Sequence, residues 1–394
     1  MVKMLIAGDD ALSLRSQARD YGTLCEAFQA SVAARGDACA LVNSESGEKW
    51  SWAEAGRAVH RIAGGLAGLG VSKGDTVALA LRNRPQFNLV DAATFHLGAT
   101  PWSIYLTSAP EQIRRLLAQA HSKVVVAEAD LLPRLREAAA GTDIEHIIDV
   151  EQLDALPEPP DGFDFASRWR DVGPATPLTI IWTSGTTGHP KPVELTHRSM
   201  LHLLDAITDV SGVQAGGRLL SYLPSAHVAD RWSAHGWWMT LGAEMTCVRD
   251  IANLMTTTAQ VHPTIWGSVP RVWEKLRAAL EAQGIADPAR LPEDTKHAVR
   301  TKLGLDQVEI LIVGAAPLAP ETLQYFEDLG LPVCEVWGMS ETSGILTANP
   351  PGARRIGTVG LPLPGVELRL AEDGEVFARG PMLMSGYRDQ PELT

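Results

Sequence analysis

Apolar residues along this chain repeat at two spacings, and the alternation between them lays out the elements. Val59, Ile62, Ala63, Leu66 and Leu69 recur at helical spacing, with Ser51 three residues ahead of Glu54 as a capping box and Gly70 as a stop. "DTVALALRN" then reads as an apolar strand and "FNLVDAATFHLGAT" as the next helix. The rhythm continues through the strand "SKVVVAEA", the amphipathic "LLPRLREAAA" and the strand "HIIDV", which predicts parallel strands joined by helical crossovers. "LPEPPDGFD", residues 156–164, is a Pro-rich surface connection and a candidate boundary. A second α/β unit begins at Pro177, with strands at "LTIIW", "RLLSYLP", "EMTCV", "TIWGS" and "VEILIV". Beyond about residue 345, "VELRL" and "EVFARG" alternate at period two between turn residues, the pattern of antiparallel β structure opening a small barrel. The expected fold class is α/β: two stacked, mostly parallel subdomains over 1–172 and 173–344, followed by a β-rich subdomain over 345–394.

Composition narrows what such a fold serves. With 394 residues, 45% of them hydrophobic, the chain can bury a large core in more than one unit. The net charge of −13 and the lack of a basic run argue against a nucleic-acid surface, although a local loop can still hold a small anion. Cys25, Cys39, Cys247 and Cys334 form neither a C-x-x-C pair nor a disulfide pattern, which fits a reducing cytoplasm. The leading "MVKMLIAGDDA" is too briefly apolar for a secretory segment, and no run reaches the ~18 apolar residues of a membrane span. A soluble, cytoplasmic protein is expected, compatible with a peripheral membrane contact.

The stretch "TSGTTGHPK", residues 183–191, carries the strongest chemistry. Its glycines let the backbone approach a ligand closely, its hydroxyls and bare amides donate to oxyanions, and Lys191 adds a point charge suited to phosphate. It is not a Walker A sequence: His189 and Pro190 precede the lysine, and Pro192 stands where a magnesium-binding Ser or Thr would be.

Followed by "ELTH", this stretch closely resembles the signature of the adenylate-forming superfamily of acyl-CoA synthetases, peptide-synthetase adenylation domains and luciferases. The resemblance implies that Thr183, Ser184, Gly185, Thr186, Thr187, Gly188 and Lys191 hold the phosphates of ATP. "YLPSAHVADR" resembles the family's second core motif and places His227 beside the acyl carboxylate and the adenylate. "ILIVGAAPLAP" is a buried strand running into small residues, and Gly314, Ala315 and Ala316 would border the adenine and acyl pocket. In "VCEVWGMSETSG" the resemblance adds Glu335, Trp337, Gly338, Met339 and Ser340 to the ATP site. Trp337 stands where a tyrosine usually stacks on adenine, and Ser340 replaces a common threonine. Glu341 matches the carboxylate associated with magnesium, an ion typically held by one or two carboxylates together with substrate phosphates. Thr183, Lys191, His227 and Glu341 are thus the implied catalytic set, and His227, Trp232, Gly314 and Gly338 the implied acyl-binding set.

"SVPRVWEKL", residues 268–276, is similar to a segment of long-chain fatty acyl-CoA synthetases. Trp232, Trp237, Trp238 and Trp266 form a neighbouring cluster that reads equally as core or as the lining of an acyl tunnel. His227, Asp230 and His235 lack any zinc spacing. The implied reaction needs no protein nucleophile: a fatty acid carboxylate attacks the α-phosphorus of ATP, and CoA then displaces AMP to give a thioester. A serine hydrolase is disfavoured because "GMSET" has Thr342 where a second glycine would complete G-x-S-x-G, and the glycines of "AGGLAGLG" are not in dinucleotide-binding order.

Two departures from the family stand out. Pro192 follows Lys191 in place of the usual glycine, fixing φ and removing an N–H donor. The sequence ends at "GYRDQPELT", before the family's T-G-D motif, hinge and mobile C-terminal domain with its adenylation lysine. The resemblance covers almost all of this chain but about three quarters of a usual member. The expected parent activity is long-chain fatty acid–CoA ligation using ATP, magnesium and CoA, with this chain alone catalytically crippled. The alternatives are a non-catalytic nucleotide- and acyl-binding fragment, or adenylation of another carboxylic acid without CoA transfer.

Overall fold

The Ser51 capping box forms as the sequence predicts: the Glu54 amide donates to Ser51 Oγ at 3.2 Å and the Ser51 amide to Glu54 Oε2 at 2.8 Å. It starts the helix Trp52–Gly68, whose buried face includes Val59, Ile62, Ala63 and Leu66. This computed structural model describes residues 18–184 and 190–394, the side chain of Ser184 excepted. Glycines inside a helix cost stability, and here close packing explains them. A Cβ on Gly65 would stand 2.5 Å from Leu156 Cβ, and one on Gly68 2.5 Å from the Glu158 carbonyl oxygen. The Pro-rich connection at 156–164 therefore lies directly on this helix.

Among the described residues the strands assemble into four sheets. The largest runs Gly386–Tyr387, Pro190–Thr196, Pro177–Ser184, Thr100–Ser103, Thr76–Ala80, Ser122–Ala127, His146–Asp149. Its last five strands are parallel, and Pro190–Thr196 pairs antiparallel on both sides. A second sheet orders Lys49–Ser51, Cys39–Asn43, Glu244–Cys247 and Arg218–Ser221. A third orders Ile265–Ser268, Ile310–Val313 and Val333–Trp337 in parallel, then Thr347–Ala348 and Leu361–Pro362 antiparallel. The parallel α/β expectation holds.

Strand pairing crosses both expected divisions of the chain. Residues 177–196 join the sheet built from 76–149, residues 39–51 pair beside 244–247, and Gly386–Tyr387 returns to the largest sheet. Past residue 345 the period-two segments do pair antiparallel, as the hairpin Glu367–Leu370 with Val376–Arg379. No closed barrel forms among the described residues. Nor is any described helix long and apolar enough to cross a membrane.

The sequence pattern does not mark the strand Thr100–Ser103, and its helical segment extends as far as Thr100. That helix, Pro85–His96, ends where Gly98 takes a φ of 71°. Pro101 sits in the new strand although proline is rare at interior positions, and its carbonyl accepts from Thr179 Oγ1 at 2.8 Å. Prolines 190 and 192 are tolerated in their strand for a geometric reason. The carbonyls of Pro192 and Glu194 accept from Arg388 and Ser385, so those alternate positions face the short strand Gly386–Tyr387. The missing proline donors thus leave the long pairing with Pro177–Ser184 intact.

The tryptophans divide between core and cavity. Trp238 stacks on Trp52 with ring centroids 5.0 Å apart and donates to the Ala40 carbonyl at 3.1 Å, a core position. Trp273 packs edge-on to Trp266 at 4.8 Å under the third sheet. Trp232, Trp237 and Trp266 reach the cavity described next.

Candidate functional site

A cavity of about 550 Å³ opens at the carboxyl ends of the strands Arg218–Ser221, Ile265–Ser268, Ile310–Val313 and Val333–Trp337. That is where open parallel sheets gather ligands, because successive strands hand over to turns there. The hairpin of the largest sheet supplies one wall. Thr183 and Lys191 are cross-strand partners, and both side chains line the cavity. Gly185, Thr186, Thr187 and Gly188 lie outside the described residues, as does the side chain of Ser184.

His227 caps the short helical turn Val228–Asp230, its Nδ1 accepting from the Ala229 amide at 3.1 Å. Burial pushes its pKa below the ordinary histidine value, so the ring is neutral near pH 7. With Nδ1 used as an acceptor, the proton belongs on Nε2, which is then a donor for a ligand oxygen. The chain continues as a π-helical turn, Arg231–Gly236, a wide turn often found at functional sites, and this brings Trp232 and Ser233 to the wall.

The floor of that turn is charged but closed. Asp91 is buried between Arg231, which bonds its Oδ1, and His235 Nε2, 2.8 Å from its Oδ2. Burial acts to raise the Asp91 pKa, but Arg231 and His235 outweigh it and hold the carboxyl below the usual range. Asp230 points elsewhere and accepts from Ser221 Oγ at 3.2 Å, while its second oxygen is buried with no hydrogen-bond partner among the described residues. Desolvation, only partly offset by Arg231, raises its pKa to about 7. His227, Asp230 and His235 therefore serve three different partners, and no cluster of three metal-ligating side chains occurs among the described residues.

Opposite, Gly314 and Ala315 line the wall after the strand Ile310–Val313, with Ala315 in the left-handed region at φ 70°. A β-carbon in that region is strained, a state tolerated where surrounding structure imposes it and frequent at ligand sites. Gly338, Met339, Ser340 and Glu341 follow from the next strand. A Cβ on Gly344, at φ 126°, would meet the Trp232 indole at 2.7 Å, so glycine is what lets this turn close on the tryptophan. Glu341 Oε1 accepts from the Tyr387 hydroxyl at 2.8 Å, and Lys191 Nζ lies 5.4 Å from the centroid of that same ring.

Of the residues singled out from sequence, Thr183, Lys191, His227, Trp232, Gly314, Ala315, Gly338, Met339, Ser340 and Glu341 come together around this one cavity. Ala316, Glu335 and Trp337 are not among its lining residues. Ala316 is exposed, Trp337 is 36% exposed, and the Glu335 carboxylate accepts from Asn349 Nδ2 at 3.4 Å. Sequence reasoning missed Tyr387, Asp230 as a wall residue, and Ile345. Tyr387 gave little signal because its strand is two residues long.

A lysine, a glutamate and a histidine thus stand around one cavity whose walls also carry apolar groups. The family described as AMP-binding enzyme matches residues 28–388, and the chain belongs to that family. Over 270 residues it is 40% identical to fadD11 of Mycobacterium tuberculosis, a protein named as a fatty-acid–CoA ligase, covering 59% of this chain and 47% of that one. It is 32% identical to the long-chain-fatty-acid–CoA ligase FadD15 of the same organism, covering 87% of this chain and 64% of that one. The chain thus spans about half to two thirds of the length of these relatives. Among solved structures, the inhibitor-bound N-terminal domain of FACL13 from M. tuberculosis superposes with a TM-score of 0.79 at 22% identity, covering 95% of this chain and 93% of that one. A long-chain-fatty-acid–CoA ligase, FadD1 of Archaeoglobus fulgidus, gives 0.77 at 21%, covering 94% and 77%. At these identities the likeness concerns the fold.

Proposed function

We propose that the cavity takes ATP and a fatty acid side by side, and that the parent reaction is AMP-forming fatty acid–CoA ligation. The observation that supports this is a single cavity whose walls combine Thr183, Lys191, Ser340 and Glu341 with apolar groups such as Leu219, Val228, Trp237 and Ile265. In this reading Lys191 and the adjoining 183–188 segment stabilise the phosphates, and the substrate's own carboxylate is the nucleophile. His227, neutral and protonated on Nε2, donates to the carboxylate or the acyl phosphate oxygen. Glu341 fits a magnesium site of the one-carboxylate kind: one oxygen is held by Tyr387 and the other has no described partner, so phosphate oxygens would complete the coordination. The ion would neutralise phosphate charge. The relatives named as long-chain ligases support a long acyl chain and CoA as the final acceptor.

Two measurements test the proposal. Calorimetric titration with a fatty acyl sulfamoyladenosine is expected to show binding that ATP competes away, tightening from octanoyl to palmitoyl; no binding, or binding indifferent to the acyl chain, defeats the reading. ATP–pyrophosphate exchange by the same chain is expected to require both magnesium and a fatty acid, and thioester formation on adding CoA tests the second step.

A further inference from the structure

We infer that Tyr387 is a positioning residue that keeps the Lys191 ammonium and the Glu341 carboxylate apart and available to the cavity, an inference that rests on the nucleotide reading above. Tyr387 belongs to the strand Gly386–Tyr387 and stands opposite Val193 on the strand Pro190–Thr196. Lys191 is two residues from Val193, so it shares the face on which Tyr387 lies. Its Nζ sits 5.4 Å from the ring centroid, within reach of a cation–π attraction. From its other end the phenol donates to Glu341 Oε1 at 2.8 Å. The backbones are tied as well, since the Met384 amide donates to the Glu341 carbonyl at 2.8 Å and Ser343 Oγ to the Met382 carbonyl at 2.8 Å. All three side chains line the cavity.

Charge explains why a tyrosine suits this place. A lysine and a glutamate on neighbouring walls attract, and closing into an ion pair would neutralise the two groups that a nucleotide and its cation need. Among the described residues no Lys191–Glu341 ion pair forms; each meets the tyrosine instead. The ring attracts the cation without neutralising it. The hydroxyl fixes one carboxylate oxygen, and the other has no partner among the described residues. An ordinary phenol keeps its proton through the physiological range, so the hydroxyl is a donor to Glu341. The neighbouring cation does not compete, because Arg388 is held by Glu194 at 3.1 Å.

The experiment is calorimetric titration of ATP into the chain, once with magnesium and once with EDTA, for wild type, Tyr387→Phe and Tyr387→Leu. Thermal midpoints confirm folding of each variant. Tyr387→Phe keeps the ring beside Lys191 and deletes the bond to Glu341. It is expected to lose about three- to tenfold of the affinity that magnesium adds, with less than about a twofold change in EDTA. Tyr387→Leu also removes the ring and is expected to weaken binding in EDTA by about two- to fivefold. If Tyr387→Leu does not fold, the phenylalanine variant decides. An unchanged magnesium effect in Tyr387→Phe, or an equal loss in both buffers as a merely structural tyrosine would give, overturns the inference while the nucleotide reading stands. A wild-type chain that takes up no ATP in either buffer overturns both.

Discussion

At the scale of single residues, the site is organised by what each polar group is already bonded to. His227 has its Nδ1 committed to a backbone amide, which leaves one donor for a ligand. Glu341 has one oxygen committed to Tyr387. Glu341→Gln keeps the shape and the acceptor but removes the charge, so it should weaken ATP binding in magnesium while leaving binding in EDTA nearly unchanged; equal magnesium dependence in both proteins would count against the assignment. Asp230 gives a separate, pH-dependent expectation. Its folded pKa of about 7 is raised above the ordinary 3.8, chiefly by burial. The unfolded chain therefore releases this proton more readily, and stability that is full below about pH 4 is lost as pH rises through 7. Asp230→Asn should raise the thermal midpoint at pH 8 relative to wild type, and the gain should shrink towards pH 5. A pH-independent difference in midpoint would show that the carboxyl titrates alike in the folded and unfolded chain, against the raised folded value.

At the scale of elements, the helix Trp52–Gly68 shows packing overriding propensity. Gly→Ala inside a helix usually stabilises it by up to about 1 kcal/mol, yet at Gly68 the new Cβ would press on the Glu158 carbonyl. Gly68→Ala is therefore expected to destabilise the chain by about 1–3 kcal/mol, read as a lower urea midpoint; a higher midpoint would mean that the 156–164 connection moves freely. The helix itself was legible from Ser51, Glu54 and its apolar stripe, because those signals are local. Most strands were legible for the same reason: long apolar runs such as "SKVVVAEA" need no partner to be recognised. What could not be read was pairing. Nothing local to Cys39–Asn43 says that it lies beside Glu244–Cys247, and Thr100–Ser103 hides behind a proline and a serine. The site followed the same rule. Motif residues such as Lys191, His227 and Glu341 were visible as chemistry, whereas Tyr387 matters only because a two-residue strand returns to the hairpin. Trp337 and Glu335 lie on the opposite face of their strand from Val336 and Gly338, which line the cavity.

At the scale of the whole molecule, the question is what joins the cavity wall to the body of the fold, given that the strands interleave across the chain. The helix Pro85–His96 belongs with the largest sheet, and the π-helical turn Arg231–Gly236 carries Trp232 and Ser233 of the cavity wall. Asp91 on the first is bonded to Arg231 on the second, and Arg231 also donates to Thr179 Oγ1 of the strand Pro177–Ser184 at 3.0 Å. These groups are all buried, so the link is costly to break from one side: a lone partner is left as an uncompensated charge. Asp91→Asn should therefore cost about 3–5 kcal/mol of stability, because Arg231 stays buried without its counter-charge. Removing both charges with Asp91→Leu and Arg231→Met should cost much less than the sum of the two single changes, since apolar groups of similar size can replace a buried pair. Urea denaturation of the four proteins in a double-mutant cycle measures this coupling. Additive losses would mean that the two elements are stabilised independently. A large coupling would mean that the turn bearing Trp232 is stabilised from the largest sheet, and ligands filling the cavity should then protect the Asp91 helix from hydrogen exchange even though it forms no part of the wall.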